Sequence, residues 1–123
     1  MESRELIQHL PERATFRPDA MTKIDCFRSD RLFVGLNCFE PGQAQSVHTH
    51  GGADKFYVVL TGKATFIVGT QRVDARSGDL IPAPAGVPHG VASVSERSIV
   101  LVTMAPPPPP PPLVSDAFET SRR

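Results

Sequence analysis

The chain has 123 residues and a mass of 13.3 kDa, room for one domain, and its 13 basic and 13 acidic residues cancel to a formal charge of zero. That balance specifies no basic surface, so no nucleic acid is expected as a partner. Apolar residues make up 40% of the chain, enough for one core, but so small a domain gains from a partner subunit, and a homodimer is the expected assembly.

The first residues are charged at Glu2, Arg4 and Glu5 and carry no apolar run of the kind that directs secretion. No stretch approaches the roughly 18 to 20 apolar residues that span a bilayer. A soluble, cytoplasmic protein without a membrane partner is expected, with Cys26 and Cys38 both reduced. Residues 1–20 form an N-terminal arm, with a short helix expected over Ser3 to Leu10 and stopped by Pro11. From Met21 the pattern changes to short runs of strand character: Thr22 to Phe27, Arg31 to Phe39, Gln45 to His50, Lys55 to Leu60 and Ala64 to Val68. Gln71 to Ala75, Leu80 to Pro82, Gly90 to Ser93 and Ser98 to Met104 continue the series. Turn residues separate them, among them Glu40-Pro41-Gly42, Thr61-Gly62-Lys63, Gly69-Thr70 and Ser77-Gly78-Asp79. Many short strands with no helices between them specify an all-β domain over 21–105, a jelly-roll barrel or, in competition, an immunoglobulin-like sandwich.

Alternation divides one strand into two faces, Lys55, Tyr57 and Val59 on one and Phe56, Val58 and Leu60 on the other. Past Ala105 stand seven consecutive prolines, Pro106 to Pro112, which lack backbone donors and favour a stiff polyproline II spacer about 22 Å long. The folded domain is therefore expected to end near Met104, with 113–123 as a C-terminal tail.

Three of the four histidines carry a chemical signal. His48 and His50 are separated by Thr49, so on a strand both imidazoles leave one face with their α-carbons roughly 7 Å apart. His89 follows the rigid segment Pro82 to Pro88, which is suited to holding one side chain at the rim of a barrel. A lone His-x-His pair is also an ordinary surface feature; a third histidine after a proline-glycine turn gives the pair a partner. Neutral imidazoles donate to iron, manganese, nickel, zinc or copper, so the ligand type implies a divalent metal without selecting one.

The spacing of these residues resembles the cupin superfamily. In the first cupin motif a glycine, five residues, His-x-His, three or four residues, a glutamate, six residues and a glycine follow one another; Gly42, His48, His50 and Gly62 stand at those positions. The second motif finds Gly78, Pro84, Gly86 and His89 in place, with Ser93 where asparagine is usual. The resemblance implies a small barrel holding a metal in its mouth through His48, His50, His89 and one carboxylate. Lys55 occupies the glutamate position; the shorter gap puts Asp54 there but leaves the distance to Gly62 one residue too long.

A charged ammonium beside a divalent cation is repelled, so Lys55 is expected to turn aside, to face an anionic ligand, or to lose its proton. The site residues expected are His48, His50 and His89 as metal ligands, with Asp54 as a possible fourth, and Lys55, Tyr57 and Asp54 as candidates to hold a substrate or move protons. The resemblance implies a metal-binding protein, with dioxygenase or isomerase chemistry on a small polar organic acid or ketone as one form. A non-catalytic cupin that binds a small ligand or uses its metal structurally is the other. Cys38 is expected either beside the histidines or as a small buried hydrophobe.

Overall fold

The computed structural model describes residues 6–110. A four-residue helix, α1 (Leu10–Arg13), precedes nine strands: β1 (Thr22–Arg28), β2 (Phe33–Phe39), β3 (Gln45–His48), β4 (Asp54–Thr61), β5 (Lys63–Val68), β6 (Gln71–Arg76), β7 (Leu80–Ala83), β8 (His89–Val94) and β9 (Ser98–Ala105). They form two antiparallel sheets, one of five strands in the order β1-β2-β9-β4-β7 and one of four in the order β3-β8-β5-β6. The all-β jelly-roll class expected from the turn spacing is the architecture observed.

The core lies between the sheets and is built by alternation. On β4, Lys55, Tyr57 and Val59 are buried while Phe56, Val58 and Leu60 are only half-buried. Tyr57 and Val59 join Phe39, Phe66, Val91, Val100 and Val102 in the central cluster. The first of the two faces read from the sequence is thus the inward one. At the far end, Gly62 alone carries the chain from β4 in one sheet to β5 in the other. Its φ is +93°, and a Cβ there would lie 2.5 Å from the Arg97 carbonyl oxygen, so only glycine fits this corner.

The five-stranded sheet is also covered on its outer face. Leu36, Cys38 and Ile99 are buried there under Leu10, Ala14 and Phe16 of the N-terminal arm. This explains why β2 reads as an almost continuously buried strand, since both of its faces are packed. Cys38 accordingly belongs to this outer cluster, away from the barrel interior, and the two cysteines are not joined in a disulfide.

One local expectation changes, and the C-terminal boundary gains detail. Of the helix expected over Ser3 to Leu10, residues 3–5 lie outside the described residues, and 6–9 are not helical. Pro11 stands in the first turn of the observed helix instead of stopping one, because a proline there needs no hydrogen-bond donor and brings a helical φ. Beyond Met104, β9 continues to Ala105, and the first prolines pack back on the domain: Pro108 is buried and its carbonyl accepts a 2.6 Å hydrogen bond from Arg28 of β1. The tail expected over 113–123 lies outside the described residues. No helix among the described residues is long and apolar enough to cross a membrane.

Candidate metal centre

Three elements bring His48, His50 and His89 to one end of the barrel. His48 ends β3 and pairs directly with His89, which opens β8. Between Gln45↔Val91 and His48↔His89 the register of β3 slips by one residue, a bulge that re-aims His48. Gly90 permits the close crossing: a Cβ there would stand 2.8 Å from the Gln45 carbonyl oxygen and 3.0 Å from the Val47 α-carbon. His50 lies two residues past the end of β3, in a segment without strand structure. Its carbonyl accepts a 3.0 Å bond from Gly86 N–H, which ties it to the turn leading into His89.

The rings converge. Centroids are 4.4 Å apart for His48 and His89, 4.9 Å for His48 and His50, and 5.5 Å for His50 and His89. One potential ligand atom from each histidine lies within 4.8 Å of the other two. Two of the rings are oriented from behind. His48 Nδ1–H donates to the Ser46 carbonyl at 2.8 Å and His89 Nδ1–H to the Val87 carbonyl at 2.9 Å. Because a carbonyl only accepts, each Nδ1 carries the proton and each Nε2 presents its lone pair inward.

Electrostatics keep these imidazoles neutral. Burial, reinforced by the Lys55 ammonium, lowers the His48 pKa to about 3, against the opposing bond to Ser46. Burial and Lys55 also lower that of His89. The His89 Nε2 is buried with no hydrogen-bond partner among the described residues. A neutral imidazole with an inward lone pair and no protein donor to satisfy it is the condition of a metal ligand, so this donor set fits a divalent ion.

The other candidates are placed differently. Asp54 is exposed, and its carboxylate accepts the Ala85 N–H at 2.9 Å, so it holds the turn that carries His89 and is not among the clustered ligand atoms. Tyr57 is fully buried, and its hydroxyl donates to Gln45 Oε1 at 3.4 Å, beneath the histidines. Burial raises its pKa further, so the phenol keeps its proton.

Lys55 does not turn aside. It is 3% exposed, with Nζ 3.2 Å from His48 Nε2 and 4.8 Å from the centre of the Tyr57 ring. Gln45, 4% exposed and with its Nε2 unbonded among the described residues, is a polar interior residue that sequence reading passed over. Alternation gave no signal for it, because the bulge puts residues three apart on the same side.

Comparison with known proteins places the fold in a family. The cupin-domain family pattern matches residues 35–105, which hold all three histidines and both sheets' central strands. The chain belongs to the cupin family. This cupin is 34% identical over 79 residues to an uncharacterized protein of Streptomyces coelicolor, covering 64% of this chain and 74% of that relative. A crystal structure from Thermus thermophilus is similar at 40% identity and a TM-score of 0.78, over 81% of this cupin and 96% of that chain. An RmlC-like cupin from Desulfovibrio desulfuricans is similar at 31% identity and a TM-score of 0.74, over 87% and 98%.

Proposed function

We propose that this cupin binds one divalent transition metal through the Nε2 atoms of His48, His50 and His89 and uses the site on a small polar organic acid or ketone. The observation that carries the reading is the convergence of three histidine ligand atoms within 4.8 Å, two of the rings locked behind by backbone carbonyls. A bound ion supplies Lewis-acid polarisation of a ligand oxygen.

The chain's own residues do the rest. His48 and His89 hold their lone pairs at fixed angles, and Asp54 fixes the turn behind His89. The Lys55 ammonium faces the same space and favours an anionic ligand group. Dioxygenase and isomerase forms share this arrangement, and three imidazoles do not choose among iron, manganese, zinc and nickel.

A second reading, ligand binding without turnover, has its own support. Asp54 and Tyr57, two candidates for moving protons, are both engaged in hydrogen bonds that hold the fold. Oxygen uptake by the iron form that depends on an added acid or ketone favours the oxygenase; binding without product under every metal favours the second reading.

Metal analysis of protein purified without an affinity tag tests the ligand set. Wild type is expected to retain about one equivalent per chain, and His89→Ala to lose about ten-fold or more in affinity. Equal metal content in the two proteins rejects His89 as a ligand.

A further inference from the structure

We propose that Lys55 couples metal binding by this cupin to a small carboxylate, so that ion and anion strengthen one another's binding as a synergistic pair. The inference rests on the three-histidine reading and adds to it a ligand class and a coupling between two ligands.

The Nζ of Lys55 lies 3.2 Å from His48 Nε2, on the nitrogen whose lone pair faces inward once Nδ1 is bonded to Ser46. One lone pair serves one partner. A metal ion that takes His48 must therefore displace the ammonium, and the ammonium has little room to reach water, since Lys55 is 3% exposed. The flanking contacts hold the side chain inside, with the Tyr57 ring 4.8 Å from Nζ. The clustered donors are three imidazoles and no carboxylate, so they bring no negative charge to offset the repulsion between ion and ammonium.

A small molecule with a carboxylate and a second oxygen donor resolves both problems. One oxygen meets the ion and another accepts from the displaced Nζ, so the anion lies between two cations in a space where water screens poorly. A malonate-like dicarboxylate or an α-keto acid has this shape and charge. Thermodynamic linkage makes the coupling reciprocal: whatever the anion adds to metal affinity, the metal adds to anion affinity.

Calorimetric titration of the metal-free, full-length protein with Co²⁺, with and without malonate, measures the coupling. Malonate chelates Co²⁺ in solution, so competition alone weakens the apparent affinity. Synergy predicts the opposite sign, a tightening of about ten-fold or more in wild type. Lys55→Met, close in length and uncharged, is expected to bind Co²⁺ tightly without malonate and to show no tightening when malonate is added. Co²⁺ binding to wild type that is unchanged or weakened by malonate overturns the role of Lys55 and leaves the three-histidine site standing. Absence of Co²⁺ binding to wild type both with and without malonate overturns the metal site, and this inference with it. The wild-type titrations decide the question even if Lys55→Met folds poorly.

Discussion

His48 and His89 are kept uncharged by where they sit, and that has a consequence for stability. In the unfolded chain an imidazole takes up a proton near its ordinary value of 6.5, whereas folded His48 resists until about 3, chiefly through burial and then through the Lys55 charge. Between those values the unfolded state binds the extra proton, so acid draws the equilibrium toward unfolding. The metal-free protein is expected to keep the full contribution above pH 6.5 and to lose it progressively as pH falls toward 3. His48→Gln, which cannot titrate, is expected to flatten part of that slope in denaturant unfolding measured across the range. A slope equal to wild type contradicts the account of His48. The same residue scale shows why Lys55 was hard to read. Alternation put it with Tyr57 and Val59, but repulsion from an assumed ion argued for an outward turn. Sheet packing and the contact with His48 Nε2 hold it inside.

Among the elements, the crossing of β3 on β8 sets the site. The bulge in β3 and the missing side chain of Gly90 let the two backbones approach until His48 faces His89. Gly90→Ala would press a methyl group onto the Gln45 carbonyl and the Val47 backbone, which cannot rotate away as a side chain would. We expect a loss of about 1 to 3 kcal/mol in denaturant unfolding, the usual range for overpacking. A weaker Co²⁺ affinity by about ten-fold or more should accompany it, because ligand positions tolerate little displacement. Unaltered stability and affinity would show that the crossing has slack.

Strand positions were largely legible in the sequence, because Gly, Pro and Asp mark turns that the strands must obey. Gln71 to Ala75 and Leu80 to Pro82 each differ from the observed strand by one residue. The bulge was not legible, since nothing in Gln45-Ser46-Val47-His48 marks an extra residue. His50 was read onto the strand for the same reason, and it reaches the cluster from beyond the end of β3. Asp54 lies on the outward parity of β4, and its bond to Ala85 gives it a scaffolding part.

At the scale of the molecule, the two sheets close over Tyr57, Phe66, Phe39 and the valines of β4, β8 and β9, and the outer face of the larger sheet is sealed by the N-terminal arm. The seal and the return of Pro108 to Arg28 are long-range contacts, which local pattern does not reveal. The glycines and histidines of two separated segments carried the resemblance to cupins, and it was that resemblance that implied a barrel with the histidines in its mouth. Gly62 turns the chain between the sheets at the end of β4, and the histidines gather near its start, beside Lys55.

The most direct test of the metal centre is diffraction at the cobalt absorption edge from crystals grown with Co²⁺ and malonate. A single strong anomalous peak is predicted about 2.1 Å from the Nε2 atoms of His48, His50 and His89. A peak elsewhere, or one that the His89 ring does not face, would contradict it.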